Sequence, residues 1–279
     1  MRALAEFIMR GRLQAAVVAF VGNLLPFISP AAVGLVALRK GPLEGLLTLM
    51  WAVLPVVLMF SAEVPVELIT SLAQLVILWF AADQLRRSQS WAMAILVVVG
   101  LSGLAGMVFN MTLPEGVLME QIRQMFERFV VGQPADVQLD QATVLSVLVI
   151  LTALATVISL VLARWWQAML YNPGGFRAEF HQLRYSMSVA FGLVGAILVC
   201  TVLEGNFLVW INVLALPLMI AGVSLVHWLV AERNLGLQTL VLFYIGVMVI
   251  PILFIPMLVV IGFTDSMVNL RSRLKSGAS

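Results

Sequence analysis

Charge is the scarcest feature of this chain. Only 11% of its 279 residues are Asp, Glu, Lys or Arg, and 62% are hydrophobic. A soluble domain carries about 25% charged residues, so this composition excludes water as the main solvent. Cysteine is nearly absent too. The one thiol, Cys200, lies in an apolar run. It excludes an internal disulfide framework and reads as a small packed hydrophobe. With two histidines on different segments, a structural zinc site has too few ligands at the right spacing. There is no G-x-x-x-x-G-K-[ST] phosphate loop and no basic surface of the kind that binds nucleic acid. No cofactor is therefore expected.

What is present is a succession of long apolar stretches from end to end. They predict an all-α, polytopic transmembrane helix bundle. The runs lie too close together to leave room for a soluble domain, so residues 1–279 read as a single integral membrane domain. Basic residues precede the first apolar run, as in a signal peptide, but the many spans that follow favour an uncleaved first segment.

Six runs stand near 43–60, 66–82, 91–111, 142–163, 186–203 and 207–230. Two more, Leu13 to Leu38 and Leu237 to Gly262, are interrupted by Pro26 and Pro30 and by Pro251 and Pro256. Each is either one kinked span or a hairpin of two short helices. The distribution of positive charge decides. If both are hairpins, Arg2, Arg10, Arg12, Arg39, Lys40, Arg86, Arg87, Arg164, Arg177, Arg184, Arg233, Arg271, Arg273 and Lys275 share the cytoplasmic side, which is fourteen of the sixteen basic residues. Single spans would put some basic cluster on the wrong side. The expectation is about 8–10 membrane segments, with Pro-broken hairpins at both ends and both termini cytoplasmic.

The external loop, 112–141, holds Arg123 and Arg128 against five acids. Thr112, Pro114 and Glu115 make a capping-box start. Leu118, Ile122, Met125 and Phe129 then form one apolar face. This predicts an amphipathic helix on the outer surface, either resting on the interface or acting as a lid or docking helix.

The stretch "ARWWQAMLYNPGGFRAEFHQLR", 163–184, breaks the rule of scarce charge. Arg164 ends a span, and Trp165 and Trp166 stand where an aromatic belt belongs. The Asn-Pro-Gly-Gly turn breaks the helix. Phe176, Phe180, Leu183 and Met187 then recur at helical spacing, which predicts a second interfacial helix within a cytoplasmic loop, 164–185. A topological anchor needs only the basic residues. Tyr171, Asn172, Glu179 and His181 exceed that need, so a partner-binding or gating face of Arg164, Tyr171, Asn172, Arg177, Glu179, His181 and Arg184 is also expected. Asp265 lies six residues before Arg271 at the same membrane edge. It is expected to pair with Arg164 or another residue of this stretch, and both Asp265 and Arg271 join the face.

This stretch, with "VALRKGPLEGLL" (36–47) and "GFTDSMVNLRSRL" (262–274), resembles the YybS-like bacterial membrane proteins, a domain-of-unknown-function family. The resemblance spans nearly the whole chain. It implies distant similarity to the substrate-binding S components of energy-coupling-factor transporters and to the rod-shape protein MreD, hence an S-component-like core in the bacterial inner membrane. Ala15 and Ala19 match an Ala-x-x-x-Ala by which many S components pack against their coupling subunit.

Polar residues inside spans are costly and so are candidate functional residues. Asn23, Gln74 and Asn110, with Glu204 and Asn206 near the outer surface, are expected to line a small-molecule pocket; otherwise they form ordinary interhelical hydrogen bonds. The motif "GLSG" (100–103) resembles the serine motif of rhomboid proteases, and His227 is the intramembrane histidine that would serve it. Their depths disagree: about 16 Å against about 5 Å from the cytoplasmic ends of their spans at the helical rise. No catalytic role is expected. The function implied is a transporter-like, small-molecule-binding membrane subunit without its own energy source, or an MreD-like scaffold for an envelope or cytoplasmic partner. The bilayer is the one partner that composition itself demands.

Overall fold

In the computed structural model every apolar run forms a helix, because a chain solvated by lipid must satisfy its backbone internally. The structure describes residues 1–59, 66–112, 116, 120, 141–203, 207 and 209–276. These hold thirteen α-helices and no strand. They are α1 (Arg2–Arg10), α2 (Arg12–Val21), α3 (Ile28–Lys40), α4 (Pro42–Met59), α5 (Val66–Ser88), α6 (Trp91–Thr112), α7 (Gln141–Tyr171), α8 (Gly175–Phe180), α9 (Met187–Leu203), α10 (Val209–Glu232), α11 (Leu237–Val249), α12 (Pro251–Val268) and α13 (Leu270–Ser276). By length and composition, five helices can cross a membrane: Leu68–Ser88, Trp91–Thr112, Gln141–Tyr171, Trp210–Glu232 and Pro251–Val268. Shorter apolar helices accompany them at Arg12–Leu24, Pro42–Leu58, Met187–Leu203 and Leu237–Val249.

Both Pro-broken runs are pairs of helices. Phe27 stands in the left-handed region at φ 66°, and the chain folds back so that the Ser29 hydroxyl donates to the Ala19 carbonyl at 2.6 Å. The start of α2 lies against the start of α4, which follows directly on α3, since Arg12 Nε donates to Glu44 at 2.9 Å. In the second run, Phe243 and Phe254 have ring centroids 6.3 Å apart. A straight helix would hold residues eleven apart at about 16 Å.

Where the sequence reads as one undivided domain, the chain forms two compact units: residues 1–89 with 93–173, and residues 90–92 with 174–279. The division falls at the Asn-Pro-Gly-Gly turn, where helix cannot continue. In the first unit α3 is central. Its Ala31, Ala32, Val33, Leu35 and Ala37 are fully buried, packed among α2, α4, α5 and α7. Gly34 sits against Ala163 of α7, with no room for a side chain. Basic residues gather at one end of this unit: Arg86 approaches Gly41, and the Arg39 guanidinium lies 4.1 Å from the Tyr171 ring centroid. This is the grouping the positive-inside pattern requires of the hairpin. In the second unit α10 and α12 are the closest-packed pair. Gly222 abuts the Leu258 carbonyl, and Gly262 abuts that of Leu218.

Three local expectations change. Trp166 is fully buried, so of the Trp165–Trp166 pair only Trp165, 39% exposed, suits an interfacial belt. The helix after the Asn-Pro-Gly-Gly turn stops at Phe180, before Leu183 and Met187. Thr112 is the last residue of α6, with its hydroxyl donating back to Val108 at 2.8 Å, rather than a non-helical residue leading into a helix. Most of the 112–141 loop, with its expected amphipathic helix, lies outside the described residues.

Candidate functional site: a polar cleft in the second unit

The main stretch of the second unit starts at Gly174, whose φ of +85° lets the chain turn directly into α8. This helix is only six residues long, too short to be stable alone. Aromatic packing anchors it. Phe176 and Phe180 stack at 5.7 Å, Trp91 meets both edge-on, and Phe180 meets the His227 ring edge-on at 5.7 Å. The carbonyls at its C-terminal end find partners far along the chain. Ser224 of α10 donates to Phe180 at 2.6 Å. Arg271 of α13 donates from Nη2 to Leu183 and to the Ser224 oxygen, both at 3.0 Å. The helix itself runs out in tight turns, with Gln182 N–H donating to Glu179 and Leu183 N–H to Phe180, both at 3.1 Å.

Arg271 is held from the other side by Asp265. Nη1 lies 3.3 Å from Oδ2, and the two side chains are 11% and 1% exposed. The contact is an ion pair with no well-aligned hydrogen bond. Both Asp265 carboxylate oxygens and Arg271 Nε are buried without a hydrogen-bond partner among the described residues. Burial pushes the Arg271 basicity down, Asp265 restores part of it, and the neighbouring Arg184 charge lowers it further.

Beside Arg271 opens a cleft of about 520 Å³. The segment after α8 contributes His181, Gln182 and Arg184, α10 contributes Trp228 and Glu232, and the α12–α13 junction contributes Asn269, Arg271 and Ser272. A second cleft of about 490 Å³ shares His181 and adds Arg177, His227 and Asn234. In it, His227 Nε2 is 2.8 Å from the Tyr244 hydroxyl. Partial burial and the charges of Arg177, His227 and Arg271 lower the His181 pKa to about 4, so it is neutral at pH 7. Tyr185 is 2% exposed, and burial raises its phenol above the ordinary value.

Of the residues expected on the partner or gating face, the second unit brings together Arg177, Glu179, His181, Arg184, Asp265 and Arg271. Arg164, Tyr171 and Asn172 belong to the first unit. There Arg164, buried, donates to Gln167 at 3.0 Å, and Gln167 donates to the Leu38 carbonyl at 3.3 Å. Asp265 takes Arg271 as its ion partner in place of the expected residue of the 163–184 stretch. It is Arg271 that reaches that stretch, because a guanidinium has donors for both.

The expected outward pocket does not assemble among the described residues. Asn23 donates to the carbonyls of Ala19, Phe20 and Ala52 at 3.0–3.2 Å. Gln74 donates to Ser159 at 3.3 Å. Asn110 is exposed near the end of α6, and Glu204 and Asn206 lie outside the described residues. Ala15 and Ala19 are buried within their own unit, 1% and 0% exposed. Sequence reasoning missed Ser224, Trp228 and Glu232. They stand at i, i+4 and i+8 on α10, one polar-edged stripe in an apolar span.

Chemically, the cleft offers two guanidiniums, one carboxylate and an indole wall. Among the described residues no three His, Cys, Asp or Glu side chains converge as a metal site. No family model matches this chain, and no curated protein and no solved structure matches it.

Proposed function

We propose that this chain is a multi-pass bacterial inner-membrane protein that binds a small molecule in the cleft beside Arg184 and Arg271, with no catalytic role and no energy source of its own. The observation that carries this reading is the cleft itself. Its volume of about 520 Å³ falls within the roughly 300–1,000 Å³ of small-molecule sites, and its lining is mostly polar and charged, with Trp228 as the one large apolar side chain. The reading agrees with the resemblance to YybS-like and S-component proteins, but it moves the binding site from Asn23, Gln74 and Asn110 to the end of the second unit. The grouping of basic residues supports a cytoplasmic side for both termini.

An MreD-like scaffold is the second reading. It is favoured by the internal use of the Asn23 and Gln74 amides and by the exposed Arg177 and Arg184. Native mass spectrometry of the gently extracted protein separates the two. A retained small molecule supports the binding subunit. A stoichiometric protein partner without a ligand replaces it with the scaffold.

A further inference from the structure

We propose that the cleft takes a phosphate-bearing ligand, a free phosphate monoester or a phospholipid headgroup, gripped between the guanidiniums of Arg184 and Arg271. The inference rests on the small-molecule reading above and names the class of ligand.

The two arginines have complementary states. Arg271 is fixed by Asp265, Leu183 and Ser224, so its planar fork is oriented before any ligand arrives. Orientation in advance lowers the entropic cost of binding. Arg184 is exposed and has no side-chain hydrogen bond or ion pair among the described residues. It is free to close on an anion. Guanidinium forks match the tetrahedral oxygens of phosphate in pairs.

The charges around the cleft set the size of the anion. Asp265 balances Arg271, and Glu232 adds a negative charge to the lining that Arg184 contributes to. A polyanion has no surplus of positive charge to meet. A single phosphate, held by Arg184 and Arg271 against the opposing charge of Glu232, is the lightest anion of this kind. Trp228, 7% exposed, supplies an apolar wall for the carbon part of the ligand.

The test uses the full chain in phosphatidylcholine nanodiscs. Inorganic phosphate and glycerol phosphate probe the free source, and discs doped with phosphatidylethanolamine or phosphatidylglycerol probe the lipid source. The readouts are the unfolding midpoint and the lipid retained in native mass spectrometry. Saturable stabilisation by the soluble probes assigns a free ester, and selective retention of a doped lipid assigns a headgroup. In either case Arg184→Gln weakens binding by about 10-fold or more, the scale of one charged hydrogen bond. Glu232→Gln does not weaken it, and Arg233→Gln, outside the lining, leaves it unchanged. Equal weakening by the Arg184 and Arg233 variants means diffuse surface attraction and overturns the proposal. So does the absence of saturable binding by every probe. If a retained molecule lacks phosphate and is lost in Arg184→Gln, this inference falls and the binding-subunit reading stands. If nothing binds in any form, both fall.

Discussion

Arg271 donates a 3.0 Å hydrogen bond to the carbonyl of Leu183, 88 residues earlier in the chain, while its other terminal nitrogen faces the buried Asp265. One guanidinium thus ties the end of α12, through Ser224 of α10, to the segment that follows α8. The cleft exists because this tie holds its walls in place.

Removing the cation should therefore cost more than the contact itself is worth. Arg271→Ala leaves Asp265 buried without a counter-charge, and such losses are about 3–5 kcal/mol. Arg271→Lys should restore little, because a point charge cannot serve Leu183, Ser224 and Asp265 together. Asp265→Asn combined with Arg271→Gln should recover part of the loss, since no bare charge remains. Unfolding in detergent measures each variant. A change under about 0.5 kcal/mol for Arg271→Ala, the range of ordinary surface substitutions, would show that the pair is dispensable.

The crossing of α10 and α12 depends on two glycines. A methyl at Gly222 or Gly262 would meet the backbone carbonyl of Leu258 or Leu218, which cannot rotate away. Alanine at either position should destabilise by about 1–3 kcal/mol through forced separation of the helices. Gly192→Ala in α9 is the control, because nothing lies within 4 Å of a methyl there. It should be neutral or slightly stabilising, as the intrinsic helix preference for alanine over glycine dictates. Equal melting of all three variants would remove close packing as the reason for the glycines.

The two hairpins were legible because lipid leaves a record in composition. Pro26 and Pro30 interrupt one run and Pro251 the other, and grouping the positive charges requires each to double back. The structure shows that doubling back at Ser29–Ala19 and at Phe243–Phe254. Side-chain partners were not legible, because they depend on neighbours distant in sequence. Asn23 and Gln74 read as pocket residues, yet Ala52 and Ser159 take up their amides. The end of α8 was misplaced because its last carbonyls are taken by tight local turns and by Ser224 from α10, which apolar spacing does not record. Trp165 and Trp166 are alike in sequence but point about 100° apart on a helix, so one faces outward and the other fills the core. The stripe of Ser224, Trp228 and Glu232 escaped notice because serine and tryptophan are ordinary in a span.

His181 should make stability depend on acid. The fold holds it neutral, with its pKa lowered to about 4 from 6.5 by burial and by the charges of Arg177, His227 and Arg271. A group with a depressed folded pKa contributes stability that is full above the unfolded value and is lost as pH falls through the folded one. The contribution is therefore complete above about pH 6.5 and disappears progressively toward pH 4. His181→Gln cannot be protonated in this range. Its melting temperature should fall less than the parent's between pH 7 and 4, and parallel curves would mean that His181 does not titrate with folding.

The first hairpin should enter the membrane without crossing it. α3 has 13 residues, about 20 Å of helix at 1.5 Å per residue, against a hydrocarbon core about 30 Å thick. Its turn at Leu25 thus stops short of the far surface, while the ends at Leu13 and Lys40 return to the same one, as the Arg12–Glu44 contact requires. With Cys200→Ser as background, cysteine at position 13 or 40 should react with an impermeant maleimide from one common side. Cysteine at Leu25, which is 61% exposed, should resist the reagent from both sides and react once detergent is added. Lipid, rather than protein, would then be what shields it. Labelling of positions 13 and 40 from opposite sides would instead mean that the run crosses the bilayer once as a kinked span. The charge pattern would then lose its explanation, because Arg10 and Arg12 would face away from Arg39 and Lys40.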